Sequence, residues 1–228
     1  MTLRQLPLAI GPEPLMTFDT YVAGANTLAL AHLRALAAQA GAPVYLWGAS
    51  GSGKTHLLRA LVHAVQARHG RAGWIDRHQP LPWSFDPGWS LVVLDDCDQF
   101  DNVHQHAAFA LFIDAAAHGA QIAAAGSMPP TDLPLRDDLR SRLGWGDVFA
   151  LEPLGEADAR AALTTEAERR GIALSDEVLG YLMTRFSRDL KHLMHLLDRL
   201  DEFALAEGRA VTVPLLKKMF EDDAVGPQ

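Results

Sequence analysis

Short, continuous apolar runs alternate along residues 27–125 with longer stretches in which apolar residues recur every three or four positions. Continuous runs of four or five apolar residues are typical of strands buried on both faces, and the wider spacing is typical of helices. We predict strands at 44–47, 72–75, 91–94 and 121–125, and helices at 27–40, from 56 to about 69, and at 103–118. Such an alternation predicts an α/β fold with a parallel sheet covered by helices on both faces.

The pattern changes after Pro153, where only helical spacing remains. We predict four helices there, at about 156–170, 175–186, 188–207 and 212–221. Gly171 and Gly208 stand where helix-terminating glycines belong, and Thr212 is a suitable N-cap. Residues 1–17 differ from both regions because prolines punctuate them, which predicts an extended arm. The predicted domains are therefore an arm at 1–14, an α/β core at 15–152 and a small all-α lid domain at 153–228.

Charge and composition narrow the classes of function. The net charge is −8, from 20 basic and 28 acidic residues. Binding of duplex DNA usually needs a cluster of about six or more Lys and Arg side chains, and no such stripe is present, so we expect no direct sequence-specific DNA binding. No apolar run reaches the roughly 18 residues that span a membrane. The single cysteine, Cys97, excludes an internal disulfide and favours the cytoplasm.

A glycine-rich loop follows the first predicted strand and has the sequence Gly48-Ala49-Ser50-Gly51-Ser52-Gly53-Lys54-Thr55. It fits the phosphate-loop pattern G-x-x-x-x-G-K-[ST] at every fixed position, in the strand–loop–helix context that the pattern requires. The glycines let successive backbone N–H groups curve around a β-phosphate, where the helix N-terminus adds a favourable dipole. Lys54 is expected to reach the β- and γ-phosphates and the Thr55 hydroxyl to bind Mg²⁺. The predicted nucleotide-binding residues here are Gly48, Ser50, Gly51, Ser52, Gly53, Lys54, Thr55 and His56.

Acidic residues follow the strand predicted at 91–94. An acidic residue at the carboxyl end of a strand beside a phosphate loop can hold Mg²⁺ through water, and Asp95 is the candidate for that role. Asp96 comes one position later, where its carboxylate can polarise an attacking water. Ser127 follows the strand predicted at 121–125 and is expected near the γ-phosphate. Together with the phosphate loop, these residues predict one site for a nucleoside polyphosphate and Mg²⁺.

Arg142 lies close to the end of the predicted core, just before a Gly-Trp-Gly turn. An arginine in this place can project outward and act in trans on the nucleotide of a neighbouring subunit, and such arginine fingers increase the rate by about 10³–10⁵. The alternative for Arg142 is an ordinary ion pair on the surface.

Taken together, these residues resemble those of the DnaA clade of AAA+ ATPases over about 15–221. The segments that carry the resemblance are Phe18-Asp19-Thr20-Tyr21-Val22-Ala23-Gly24 with Asn26, which is similar to the F-D-x-F/Y-V-x-G-x-N motif over the adenine; Asp95-Asp96; Ser127-Met128-Pro129-Pro130, similar to sensor I; and Ser141-Arg142 with Trp145-Gly146, similar to the arginine-finger box. The resemblance implies an AAA+ P-loop sheet sandwiched by helices, a helical lid, and ADP or ATP with Mg²⁺ as cofactors. It also implies contact of Tyr21 and Val22 with the nucleotide.

The lid departs from the clade at one position. The clade typically places an arginine, sensor II, early in the third lid helix, and the matching position here holds Lys191. Lysine keeps the positive charge but lacks the planar fork of arginine, so the role of Lys191 as sensor II stays open. The neighbouring Arg188 is an alternative, although helical spacing turns it to a different face.

The predicted arm contains Gln5-Leu6-Pro7-Leu8-Ala9-Ile10, which resembles the Q-L-x-L-x-φ peptide that inserts into the bacterial sliding clamp. Gln5 would hydrogen-bond at the edge of the clamp pocket, and Leu6, Leu8 and Ile10 would supply apolar anchors at alternate positions. The sequence also shows no helix-turn-helix domain after the lid, unlike the replication initiator. The resemblance therefore implies a cytoplasmic negative regulator of replication initiation.

Such a regulator binds the DNA polymerase III sliding clamp and stimulates hydrolysis of ATP bound to DnaA, with Arg142 as the finger in trans. Its own ATPase activity is expected to be weak or absent, and a homo-oligomer is possible. Two alternatives stay open: a self-cycling AAA+ ATPase of the helicase-loader type, and a DnaA-like adaptor that never triggers hydrolysis. Removal of residues 1–10 separates the three, because only the clamp-bound regulator should lose its function.

Overall fold

The computed structural model describes residues 16–185 and 190–224. These residues form two compact units, one that ends at Pro153 and one that begins at Leu154. No helix in the described ranges is long and apolar enough to cross a membrane.

The first unit is built on a five-stranded, wholly parallel sheet. Its strands are β1 (Val44–Trp47), β2 (Ala72–Ile75), β3 (Leu91–Leu94), β4 (Gln121–Gly126) and β5 (Asp147–Ala150), in the order β2-β3-β4-β1-β5. All strands run the same way, so their carboxyl ends meet at one edge of the sheet, and the loops that leave this edge carry the candidate site residues. The predicted parallel α/β sheet is confirmed.

Helices cover both faces of the sheet. They are α1 (Thr27–Ala38), α2 (Lys54–Ala67), α3 (Asn102–Ala117) and α4 (Asp137–Leu143). Successive residues of a strand point to opposite faces. In β1, Leu46 joins the core that contains residues of α1 and α2, whereas Tyr45 joins the core that contains residues of α3 and α4. Strands with apolar residues on both faces explain the continuous apolar runs in the sequence.

The bounds of most predicted helices shift by one to three residues in the structure, and the other differences are the following. The sequence interpretation missed both α4 and β5, because β5 is an edge strand with mostly exposed residues and lacks the apolar run of a buried strand. β4 extends one residue further than predicted, to Gly126, where a Cβ atom would lie 2.2 Å from the Tyr45 hydroxyl. Finally, α2 spans Lys54–Ala67, which is two residues earlier at each end than predicted, and His69 after it has the left-handed conformation (φ 64°).

The second unit is entirely helical over its described residues. Its helices are α5 (Glu156–Arg170), α6 (Asp176–Arg185), α7 (Leu190–Glu207) and α8 (Val213–Ala224), which pack around a leucine-rich core. Gly171 (φ 74°) and Gly208 (φ 63°) are both left-handed at helix ends, as predicted. The Thr212 hydroxyl accepts a hydrogen bond from the Leu215 N–H at 3.4 Å, which confirms Thr212 as the N-cap of α8.

Candidate nucleotide site

The glycine-rich loop connects the end of β1 to the start of α2, and its glycines are required by close approaches of other groups. Gly53 precedes α2 with φ 92°, and a Cβ atom there would lie 2.6 Å from Cε2 of Tyr21. A Cβ atom on Gly48 would lie 2.3 Å from the carbonyl oxygen of Leu151. A loop of this kind at a helix N-terminus presents backbone N–H groups to an anion, so it fits a polyphosphate.

Lys54 is the first residue of α2, and its side chain folds beneath the loop. Only 8% of the residue is exposed, and Nζ donates hydrogen bonds to the carbonyl oxygens of Gly48 at 2.7 Å and Ala49 at 3.0 Å. Burial lowers the pKa of Lys54, and the negative charges of Asp96 and Asp95 partly oppose that effect. The ammonium group is thus held at the mouth of the loop, where it can contact phosphate oxygens.

Thr55 and Asp95 are brought into direct contact, although 40 residues separate them in the sequence. The Thr55 hydroxyl donates a hydrogen bond of 2.9 Å to Oδ2 of Asp95. Asp95 is only 5% exposed, and burial, with the nearby charge of Asp96 as a smaller contribution, raises its pKa to about 6. A hydroxyl and a carboxylate are hard oxygen donors of the kind that Mg²⁺ prefers, so this pair fits the predicted metal.

Asp96 lies at the exposed rim of the same edge in a left-handed conformation (φ 49°), and its N–H donates to Oδ1 of Asp95 at 3.1 Å. Ser127 pairs with a residue that the sequence interpretation missed. Its hydroxyl donates to Oδ2 of Asp98 at 2.7 Å, and its N–H donates to Oδ1 at 3.1 Å. Asp98 was detectable as the third acidic residue within the four positions after β3.

Tyr21 covers the start of α2 from the segment that precedes α1. Its ring is 5.3 Å from the His56 ring in an edge-to-face arrangement, and its hydroxyl accepts a hydrogen bond from Nδ2 of Asn26 at 3.2 Å. Asn26 also holds the end of the unit, with hydrogen bonds of 2.8 and 2.9 Å to the backbone of Glu152. Val22 is half-buried beside Tyr21. The motif segment is thus placed against the phosphate loop by side chains that the resemblance identified.

Three further residues at the carboxyl end of β2, Asp76, Arg77 and His78, line this site, and the sequence interpretation predicted none of them. A cavity of about 360 Å³ is lined by Lys54 and Ser50 of the loop, by Asp95 and Ser127, and by Arg77 and His78. The sheet order explains why, since β2 is the neighbour of β3 and Asp95 follows β3. No local motif marks Arg77 or His78, so only the strand order could have found them.

Arg142 lies on α4 and does not line this cavity. Its guanidinium is 5.5 Å from the ring centroid of Trp145, which is 66% exposed. The other arginines near α4 are paired, Arg136 with Asp138 at 2.6 Å and Arg140 with Asp137 at 2.5 Å. Across 16–185 and 190–224, no carboxylate lies within ion-pair distance of Arg142. The surface ion pair, considered above as an alternative for Arg142, is therefore not observed.

Some predicted residues cannot be placed. The predicted clamp-binding residues Gln5, Leu6, Leu8 and Ile10 lie outside the described residues, and so does Arg188. Lys191 belongs to α7 by its backbone, but its side chain is also outside what the structure describes. Their predicted roles stay predictions.

Comparison with known protein families gives a match in each of the two units. The family described as "Bacterial DnaA ATPAse domain" matches residues 13–73, and the family described as "Hda, lid domain" matches residues 156–220. An uncharacterised protein of Haemophilus influenzae is 32% identical over 232 residues, which is 95% of this chain and 98% of that protein.

Two solved structures have the same fold at low sequence identity. Domain III of the replication initiation protein DnaA from Thermotoga maritima aligns with a TM-score of 0.80 and 22% identity, over 93% of this chain and 98% of that domain. DnaA from Aquifex aeolicus, in a structure with bound AMPPCP, aligns with a TM-score of 0.67 and 20% identity, over 82% of this chain and 66% of that chain.

Proposed function

We propose a regulatory function for this chain, which belongs to the DnaA family of AAA+ ATPases and carries an Hda lid domain. In this proposal the protein is a cytoplasmic negative regulator of replication initiation. It binds ADP or ATP with Mg²⁺ in its own site, docks on the DNA polymerase III sliding clamp through residues 5–10, and stimulates hydrolysis of the ATP bound to DnaA.

The observation that carries this proposal is the state of Arg142. Its guanidinium lies over an exposed aromatic ring and has no carboxylate of the described residues within ion-pair distance, whereas Arg136 and Arg140 nearby are each neutralised by an aspartate. A guanidinium that is oriented by a neighbouring ring but not neutralised by a carboxylate can stabilise the negative charge that develops on a transferred phosphoryl group. Because Arg142 lies outside the chain's own nucleotide cavity, the phosphoryl group that it contacts would belong to a partner.

The chain's own site supports nucleotide binding. The loop N–H groups would bind the β-phosphate, Lys54 would contact the β- and γ-phosphates, and Thr55 with Asp95 would hold Mg²⁺. Bound Mg²⁺ supplies positive charge between the phosphates and the carboxylates. Asp96, at the exposed rim, would orient a water, and Tyr21, which lies against Gly53 of the loop, would contact the nucleotide.

The experiment that tests the proposal measures hydrolysis of radiolabelled ATP by DnaA, with and without this protein and clamp-loaded DNA. Stimulation is expected only when the clamp and residues 5–10 are present. Arg142→Ala should reduce the stimulation about 10³-fold, since arginine fingers contribute rate factors of that order. Arg140→Ala is the matched control, because Arg140 is on the same helix but is already paired with Asp137.

The contacts of Lys54, Thr55 and Asp95 also favour a second function, a self-cycling ATPase of the helicase-loader type. In that case this chain alone would hydrolyse ATP at a substantial rate, Lys54→Ala or Asp96→Asn would abolish the activity, and DnaA would not be stimulated. A DnaA-like adaptor would instead bind DnaA without any change in hydrolysis. The same assay therefore separates the three functions.

A further inference from the structure

We propose that Arg77 is a nucleotide-binding residue that contacts the terminal phosphate of a nucleoside triphosphate held by the phosphate loop of the same chain. This inference rests on the proposed nucleotide binding but not on the proposed regulation of DnaA. It assigns to the end of β2 a role in distinguishing a triphosphate from a diphosphate.

The register of the sheet places Arg77 beside the metal-binding edge. β2 pairs with β3 so that Ile75 lies opposite Leu94, and the Asp95 N–H donates to the carbonyl oxygen of Ile75 at 2.9 Å. Arg77 therefore leaves the sheet next to the acidic turn that follows β3. It lines one end of the 360 Å³ cavity, and Lys54 lines the same cavity from the phosphate loop.

The negative charges around the cavity favour an arginine at this position. Four carboxylates line it, those of Asp76, Asp95, Asp96 and Asp98, and Lys54 and Arg77 are the two lysine or arginine side chains among the described lining residues. A terminal phosphate placed near so many carboxylates requires compensating positive charge. Lys54, with Mg²⁺ held by Thr55 and Asp95, would supply part of it from the loop side, and Arg77 would supply the rest from the opposite side.

Arg77 is available for such a contact. Its Nε is 3.4 Å from Nε2 of His78 and its Nη1 is 3.5 Å from Oε1 of Gln99, and both of these contacts are long. Throughout the described ranges, no carboxylate is within ion-pair distance of it. Arg71, at the other end of β2, differs because it is bound to Asp86 at 2.6 Å. The planar guanidinium fork matches two phosphate oxygens.

The strand order explains why the contact is specific for the terminal phosphate. β3 and β4 lie between β2 and the strand that leads into the phosphate loop. Neighbouring strands are about 4.8 Å apart, so the end of β2 is roughly 14 Å from the end of β1. A diphosphate held by the loop would therefore end further from Arg77 than a triphosphate. In this proposal the terminal phosphate of the triphosphate projects past Asp95 and Ser127 and comes within reach of the Arg77 side chain.

The test is calorimetric titration of the whole protein with ADP and with AMPPCP, each with Mg²⁺. Arg77→Ala should weaken AMPPCP binding about 10-fold, as expected for loss of a charge-assisted hydrogen bond, and should change ADP binding less than about 2-fold. Arg77→Lys should recover part of the AMPPCP affinity. Arg71→Ala is the matched control and should bind both nucleotides like the unaltered protein.

Two results would overturn the inference: equal loss of affinity for both nucleotides, or no loss for either. Thermal unfolding of each variant separates a binding effect from a folding defect. Lys54→Ala serves as the reference for the site itself. If that variant bound both nucleotides normally, the phosphate-loop site would be wrong as well, whereas loss with Lys54→Ala but not with Arg77→Ala would reject Arg77 alone.

Discussion

The two units hold their carboxylates in opposite ways: Asp95 in the first unit is buried, and Glu166 in the helical unit is half-buried. In the first unit, burial raises the pKa of Asp95 from 3.8 to about 6, and its direct partners are a hydroxyl and a backbone N–H. In the helical unit, hydrogen bonds from Arg169 and Arg170 lower the pKa of Glu166 from 4.5 to about 2. Glu166 is neutralised by its own helix, whereas none of the described side chains that contact Asp95 directly neutralises its negative charge.

This difference distinguishes a carboxylate that stabilises the fold from one that is held ready for a ligand. An ionised, buried group without a neutralising contact lowers the stability of the fold. Such groups are typical of sites where binding of a ligand compensates for that loss. The cations show the same contrast: Lys54 donates to neutral carbonyl groups under the loop, and Lys218 in the helical unit is paired with Glu207 at 2.5 Å.

Lys54→Ala tests this contrast with the largest expected effect. Loss of its contacts to the β- and γ-phosphates should weaken ADP and ATP binding about 1,000-fold, since charge-assisted hydrogen bonds contribute about 1.5–3 kcal/mol each. The nucleotide-free protein should lose much less stability, because the cost of burying the ammonium group offsets most of the contribution of the two hydrogen bonds from Nζ. Calorimetric titration and urea unfolding measure the two quantities. Lys218→Ala is the control, and an equal loss of nucleotide affinity in that variant would contradict the contrast.

Asp95→Asn should stabilise the nucleotide-free protein at neutral pH by up to about 3 kcal/mol, the equivalent of a shift of roughly two pKa units. Between pH 3.8 and about 6 the folded state binds more protons than the unfolded state, so the free energy of unfolding of the unaltered protein falls as the pH rises. Above about pH 6 this loss is complete, and the variant should lack it.

The measurement is chemical unfolding of both proteins, without nucleotide, from pH 4 to pH 8. The two curves should diverge as the pH rises through this window. A variant that is less stable than the unaltered protein at pH 7 would show that Asp95 is satisfied within the fold like Glu166, and the distinction between the two carboxylates would then be lost.

Glu166→Gln should have the opposite sign and a smaller size. Because the pKa of Glu166 is lowered in the folded state, its contribution to stability is present above pH 4.5 and disappears as the pH falls towards 2. Water screens the pair with Arg169, so we expect a loss of only about 1 kcal/mol at pH 7. Urea unfolding at pH 7 and pH 3 should show that the variant is destabilised more at the higher pH. A loss of equal size at both pH values would indicate a packing defect.

Trp145→Ala should produce the smallest effect. The Trp145 ring orients the Arg142 guanidinium, and a cation–π contact at an exposed site contributes about 0.5–1 kcal/mol. Stimulation of DnaA hydrolysis should therefore fall about 2- to 5-fold. Trp145→Phe keeps an aromatic face and should restore most of the activity. If the Phe variant were as impaired as the Ala variant, the ring would act through a different contact.

The sequence allowed prediction of the features that depend on neighbours along the chain. The strands before and after the phosphate loop, the end of β3 at Asp95 and the helix ends at Gly171 and Gly208 were all predicted, because apolar periodicity and glycine conformation are local properties. The edge strand β5 was missed because half-exposed strands carry a weak pattern. The Asp98–Ser127 pair and the position of Arg77 beside Lys54 were missed. In both cases the neighbouring residues are more than 20 positions apart in the sequence.

The sequence by itself determined the fold class, the phosphate loop and the family. The period of apolar residues indicates the fold class, and short motifs identify the phosphate loop and the family. Only the tertiary structure decided that Thr55 contacts Asp95, that Arg142 has no carboxylate partner within the described ranges while Arg136 and Arg140 do, and that Arg77 shares a cavity with Lys54. The physical reason is the order of parallel strands. Packing between distant segments decides which strand ends become neighbours at the edge of a sheet. A local sequence pattern does not contain this information.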